Sequence, residues 1–239
     1  MPHKIQQGVN KTIISVHGYA GDAHQIKALL PCYEHHNMPI VIITPDDSRI
    51  EEMGPHLCRF AGKRQYIGAD SLRRQLSQWK LLLDYDATHY LCNDSDSFCL
   101  SPQLPEYLYK EDVLWSNEVS DLCHKRPVEY PLPRLAFQPP YFLSRNILEK
   151  LIAAAPAVQI EGIQTPFIDW YFMAVAVKGN IPHNNFRDGM SCCTRSPHGL
   201  RVMTDMVWRH GKIFVHSVKS GLVRRQLQFA RKQYTNRHV

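Results

Sequence analysis

The sequence predicts an α/β protein with a mostly parallel, Rossmann-like central sheet flanked by helices, and three observations carry that prediction. β-branched runs alternate with amphipathic stretches: "KTIISVHGYAGD", "AHQIKALLPCYEHH", "MPIVIITPDDS", "GADSLRRQLSQWKLLLDY" and "ATHYLCNDSD" follow one another. Strand, helix, strand, helix, strand within about a hundred residues is the order of a doubly wound sheet. The apolar runs are continuous, as at Ile40–Ile43, and strands covered on both faces read that way. Each run closes on glycine or acids, at the carboxyl ends where such sheets gather ligands.

Taken in order, "KTIISVHGYAGD" is a strand and a Gly-containing loop. "AHQIKALLPCYEHH" spaces Ile26, Leu29 and Leu30 as a helix does. "MPIVIITPDDS" is a second strand closing on Asp46 and Asp47. In "GADSLRRQLSQWKLLLDY" the residues Leu72, Leu76, Trp79, Leu82 and Leu83 form one apolar stripe, with Asp70 or Ser71 as N-cap. "ATHYLCNDSD" is the next strand. The second half is less regular: "EDVLWSNEVS" reads as a strand and "EYPLPRLAFQPPYFLS" as a Pro-rich crossing that ends extended. "RNILEKLIAAAP" is a helix stopped by Pro156. "TPFIDWYFMAVAVKGN" is a buried helix with Gly179 near its C-cap. "GKIFVHSVKSG" is a late strand, and "LVRRQLQFARKQYTNRHV" a basic, weakly amphipathic helix. No repeat or linker divides the 239 residues, so one domain is expected.

With 44% hydrophobic and 21% charged residues there is core to bury. A net charge of +6 favours an anionic partner, whether nucleotide, nucleic acid or acidic glycan. Seven cysteines, an odd number without a CxxC, fit a reduced cytoplasmic setting better than a disulfide framework. The polar "MPHKIQQGVNK" does not read as a signal peptide, and no apolar run reaches a membrane span of about 20 residues. Gly18 and Gly21 form no dinucleotide or P-loop motif. Cys192 and Cys193 with His183 and His198 lack the spacing of a zinc site.

The sharpest signal is "HYLCNDSDSFCLS". In an extended segment Asp94 and Asp96 share a face, and like charges that close are costly without a cation beside them. Taken alone, the acids also fit a polar turn after a strand. A divalent ion held by Asp94, Asp96 and a histidine from a neighbouring strand is the chemical alternative. Carboxylate oxygens suit Mg²⁺ or Mn²⁺, and imidazole is acceptable to Mn²⁺.

With the strand-terminal DSD after the βα units, the chain resembles a nucleotide-sugar glycosyltransferase of the GT-A fold. "QPPYFLSRNILEKL" resembles the extended segment and "S-R" helix on the acceptor side of such enzymes. "FIDWYF" places Asp169 at the head of a helix, where an acceptor-side carboxylate often stands. "FVHSVKSG" resembles the late His…Lys element of several metal-dependent retaining families, here spaced His216-x-x-Lys219, although no Pro-Trp or Pro-Cys follows its lysine. The resemblance implies one GT-A-like domain over 1–239: a nucleotide-sugar half at about 12–100, an acceptor half at about 101–220, and a basic helix at 221–239. It also implies that the loop from Val16 through His17, Gly18 and Tyr19 lies over the nucleotide base, with Tyr19 stacking. Asp46 or Asp47 would hold uracil or ribose.

On that reading the ion, Mn²⁺ or Mg²⁺, is held by Asp94, Asp96 and His216 and neutralises the diphosphate of a donor, a UDP-sugar first of all. Lys219, and Arg73 or Arg74 near a helix N-terminus, offer positive charge to phosphate. Asp169 is the general base if transfer inverts, and a positioning group if it retains, as the late His216-x-x-Lys219 element favours. The acceptor is a hydroxyl on a glycan, a lipid-linked or small molecule, or a modified base in DNA. The last would suit a phage or viral enzyme with the basic tail Arg224, Arg225, Arg231, Lys232 and Arg237. A nucleotidyltransferase is the competing enzyme reading, weakened by the absence of Arg or Lys in "HGYAGDAHQ". A non-enzymatic nucleic-acid-binding module is a third, and would leave the DSD unexplained.

Overall fold

The computed structural model describes residues 11–18, 26–27, 30, 38–45, 57–60, 69–99, 104–119, 136–160, 168–186, 191–193 and 214–216. For 44–45, 57–60, 69–71, 98–99, 117–119, 136–139, 168–170, 191–193 and 214–216 it describes backbone alone. Ten strands are described: β1 Thr12–His17, β2 Ile40–Pro45, β3 Leu57–Phe60, β4 His89–Asp94, β5 Phe98–Cys99, β6 Leu114–Val119, β7 Ala136–Ser144, β8 His183–Asn185, β9 Ser191–Cys193 and β10 Phe214–His216. The described α-helices are α1 Ala69–Leu82, α2 Tyr107–Lys110, α3 Arg145–Ala154 and α4 Ile168–Lys178, and residues 26, 27 and 30 are helical as well.

Seven strands form a mixed sheet in the order β3-β2-β1-β4-β7-β6-β8. Every neighbouring pair is parallel except those of β7, which runs against both β4 and β6. The α/β class with a mostly parallel sheet is therefore as the sequence predicts. Both faces are buried, because adjacent residues Ile13 and Ile14 are 2% and 0% exposed. That double burial is why the strands read as continuous rather than alternating apolar runs. On one face lie Ile13, Val41, Tyr90, Cys92, Tyr141 and Leu143, packed in one cluster with Leu72, Trp79, Leu148 and Leu151 of α1 and α3. Phe172 of α4 stacks on Tyr141 at 4.2 Å and meets the edge of Trp79 at 4.5 Å. The run "WYFMAVAV" is thus core from Tyr171 to Ala176. On the other face Tyr109 of α2 packs against His89 and Phe142.

Local chemistry departs from expectation at three points. α1 begins at Ala69, so Asp70 and Ser71 occupy its first turn instead of capping it; an acid there still complements the helix dipole. α4 ends in a Schellman motif, with Ile181 N–H donating to Ala176 O and Asn180 N–H to Val177 O. Its left-handed residue is Asn180, at φ 48°, and not Gly179. Gly179 is instead required by space, since a Cβ there would stand 2.8 Å from Cβ of Ala154. Finally, Ser144 caps α3 by accepting from Ile147 N–H, and Arg145 donates to the carbonyls of Leu83 and Tyr85 beyond α1. Because Ser144 pairs with His89 at the start of β4, this "S-R" corner lies at the opposite end of the sheet from Asp94. Its observed work is to join α3 to the end of α1.

Candidate functional site

β1 leads to β2 and β3 on one side, and the chain then returns to place β4 on the other side of β1. The strand order thus reverses between β1 and β4, which opens a crevice at their carboxyl ends, the ligand position of open α/β sheets. The ladder puts His17, the last residue of β1, opposite Asp94, the last residue of β4. Gly18 continues beyond, its N–H donating to Ile43 O at 3.1 Å.

After Asp94 the chain does not stay extended. Ser97 N–H donates to Asp94 O at 3.1 Å, which closes a turn through Ser95 and Asp96. The shared strand face expected for Asp94 and Asp96 is therefore replaced by a turn, with Asp96 at its third position. Ser and Asp favour this, since their side chains compete with the ladder for backbone groups. Both carboxylates are half-buried at the crevice, and both interact with neighbours.

Beneath the turn lies a polar layer facing α1. Ser15 Oγ and His17 Nε2 are 3.0 Å apart. Burial presses the His17 imidazole down to about 4, a hydrogen bond with Gln78 opposes this, and the charge of Arg74 adds to it. The ring is consequently neutral at physiological pH. Cys92, next along β4, is pushed up to about 12 by burial, relieved by a hydrogen bond from Ser15 and reinforced by the charge of Asp94. Its thiol is inert packing. Of the two arginines, Arg74 faces this layer, whereas Arg73 is exposed. α1 runs down from the rim, so its positive end and Arg74 favour anions in the crevice.

Two more segments reach the rim. The Schellman end of α4 lies by the start of β6, where Leu114 N–H donates to Pro182 O, so its first turn, which contains Asp169, lies at the other end with Asp94. A second sheet, β5-β10-β9, begins directly after the turn. β10 pairs antiparallel with β5, Val215 opposite Phe98, and this carries His216 to the end of β5 nearest Ser97. The backbone thus brings the segments of His17, Asp94, Asp96, Asp169 and His216 to one rim. The donor types there, carboxylate oxygen with imidazole nitrogen, fit a hard or borderline divalent cation. Among the residues with described side chains, no group of three ligating residues is assembled.

The remaining expected positions divide in two. Val16 is fully buried on the second face of the sheet, opposite Ile42 and Asn93, so strand alternation makes its side chain core and not a nucleotide contact. Tyr19, Asp46, Asp47, Lys219 and the 221–239 tail lie outside the described residues, as do the side chains of Asp169 and His216. His183 sits on the edge strand β8, opposite Leu114, whereas Cys192 and Cys193 belong to β9 of the second sheet. Ser15 and Gln78, buried around His17, carry no sequence signal: each looks like an ordinary strand or helix residue until the sheet forms. Asn93 is another, 1% exposed, its Oδ1 accepting nothing among the described residues.

The fold and site define an α/β protein with an acidic turn at its topological switch point. No family model matches the chain, and no curated protein matches it either. No helix among the described residues is long and apolar enough to cross a membrane.

Proposed function

We propose that the protein is a metal-dependent glycosyltransferase of GT-A type that moves a sugar from a nucleotide sugar, a UDP-sugar first of all, to a hydroxyl acceptor. The observation that carries this reading is the Asp94–Ser97 turn at the switch point, opposite His17 and joined by β5 to the strand of His216. Asp94, Asp96 and His216 would hold Mn²⁺ or Mg²⁺, and when bound the ion neutralises charge on the departing diphosphate.

The chain's own groups do the rest. Arg74 and the N-terminal end of α1 attract the diphosphate. Neutral His17, held by Ser15 and Gln78, lies beneath the nucleoside without adding charge next to Asp94. Asp169, in the first turn of α4, takes the acceptor proton if the reaction inverts and orients the acceptor hydroxyl if it retains. The late His216-x-x-Lys219 element favours retention, with Lys219 on phosphate. The acceptor is a glycan, a lipid-linked or small molecule, or, through the basic tail, a modified base in DNA.

The test is thermal shift with UDP and with UDP-sugars, with Mn²⁺ or with EDTA, followed by a UDP-sugar hydrolysis panel. Ligand that binds only the native state raises Tm by mass action. A UDP shift that requires the ion, and is lost in Asp96→Asn, supports the reading. A shift with nucleoside triphosphates but not UDP points instead to nucleotidyl transfer, and a shift with DNA alone to a binding module.

A further inference from the structure

Asn93 interrupts an apolar surface on the second face of the sheet, one residue short of the acidic turn. Strand alternation and register place it beside Val16 and Ile42, with Leu91, Ile14 and Ile40 further down the same face, all of them at most 6% exposed. Asn93 itself is 1% exposed. Its Nδ2 is turned to Leu91 O at 3.5 Å, and the reverse amide orientation would set two carbonyl oxygens at that separation. Oδ1 therefore faces away, and no described residue donates to it. The topology gives the reason. β4 pairs with β7 as far as Cys92 opposite Tyr141, and the next residue of β7 in that direction is Pro140. On its other side β7 pairs Tyr141 with Ser116 and then Gln138 with Asn117, so Pro139 and Pro140 are both passed over. Proline has no N–H, and β1, paired on both sides, uses its own in the ladders. A buried amide oxygen without a donor destabilises the fold where leucine would not.

We propose that Asn93 is a specificity-determining residue of the crevice, its Oδ1 accepting a hydrogen bond from a sugar hydroxyl of the bound nucleotide sugar. The proposal rests on the function given above. Asn93 directly precedes Asp94, where that function puts the diphosphate. A diphosphate in such a donor has a sugar on each side, ribose at one end and the transferred sugar at the other. Both carry hydroxyl groups, which are the donors an unpartnered amide oxygen accepts. A ligand lacking that hydroxyl leaves the oxygen unpaired, so it is rejected by the unmet bond as well as by the missing contact. The approach lies along the rim where β4 and β7 part beyond Cys92. At 1% exposure the oxygen is covered in the ligand-free protein, so binding requires the rim to yield there.

The experiment measures affinity by calorimetry, in Mn²⁺, for UDP, 2′-deoxy-UDP, 3′-deoxy-UDP and the UDP-sugar that shifts Tm most, on the full chain and on Asn93→Leu. Leucine keeps the branching of asparagine and removes the unpaired oxygen, so Tm of the ligand-free variant should be equal or higher. Affinity should fall about tenfold to a hundredfold. A fall for UDP that matches the loss with one deoxy nucleotide, with no further loss when both changes are combined, assigns ribose. A fall for the UDP-sugar alone assigns the transferred sugar. Unchanged affinity for every ligand overturns the proposal and leaves the glycosyltransferase reading standing. So does a fall for UDP that neither deoxy nucleotide shares, which would place the contact on the base. No binding of UDP or any UDP-sugar by the unaltered protein overturns that reading, and the Asn93 assignment with it. Should Asn93→Leu prove less stable, the side-chain amide resonances of Asn93 in the unaltered protein decide. Movement caused by a hydroxyl-bearing ligand and not by its deoxy analogue supports the proposal, and equal movement or none overturns it.

Discussion

Replacing His17 tests the polar layer directly, because its energetic signature has a defined sign and pH window. The folded imidazole titrates at about 4, against 6.5 for the ordinary side chain, through burial, with Gln78 opposing and Arg74 assisting. Above pH 6.5 the ring is neutral in folded and unfolded chains alike, and stability does not depend on it. Below that the unfolded chain takes a proton that the folded one refuses, so stability falls until the folded ring titrates near 4. A gap of two and a half pH units at 1.36 kcal/mol each amounts to about 3 kcal/mol, an upper value because the half-buried ring is partly screened. Urea unfolding in EDTA between pH 7 and pH 4.5 should show His17→Gln losing about 2–3 kcal/mol less than the native chain. His89, whose pKa burial also lowers against the pull of Asp112, is present in both and cancels. Parallel stability curves for the two proteins, or an imidazole NMR titration of His17 near 6.5, would refute the buried-layer account.

Other perturbations have equally specific outcomes. Phe172→Ala empties the ring that Tyr141 and Trp79 enclose and should cost about 3–5 kcal/mol in urea unfolding. Gly179→Ala drives a methyl group against Ala154 and Ile181 and should lower stability by about 1–3 kcal/mol; no loss would show that the α3–α4 contact is looser than drawn. Asp112 accepts from Ser144 and Asn146, and although burial would raise its pKa, these bonds and the charge of Lys150 hold it below the usual carboxylate range. Asp112→Ala should therefore cost about 1 kcal/mol at neutral pH, a penalty that fades as pH falls through the native carboxyl's lowered pKa, where the intact chain loses the same bonds. Asp96→Asn should abolish ion-dependent UDP-sugar turnover with Tm of the metal-free protein moved by less than about 2 °C, circular dichroism confirming the fold.

Much of the architecture was legible because period and turn chemistry act locally. Leu72, Leu76, Trp79, Leu82 and Leu83 announce α1 by spacing alone, and the runs at Ile13–Val16 and Ile40–Ile43 announce strands buried on both faces. Asp94 and Asp96 stand out because an apolar strand that stops on two acids is costly without a purpose. The short strands gave no such signal: Leu57–Phe60, His183–Asn185 and Ser191–Cys193 are too brief for a period to register, and only pairing with longer neighbours makes them strands. Extended geometry at Asp96 failed for a related reason, since one backbone bond from Ser97 to Asp94 outweighs the tendency of the strand to continue.

The sequence by itself determined the class of fold, the succession of its long elements and the chemical character of the residue types at the strand ends. All of these follow from the hydrophobic period and from which side chains tolerate burial. Only the tertiary structure decided that β7 runs against its neighbours, that the order reverses between β1 and β4, and that β10 is carried to the acidic turn beside Cys193. Those choices depend on contacts between residues far apart in the chain. Their free energy arises when two surfaces meet and water leaves, and a pattern confined to one segment does not encode the partner it will meet.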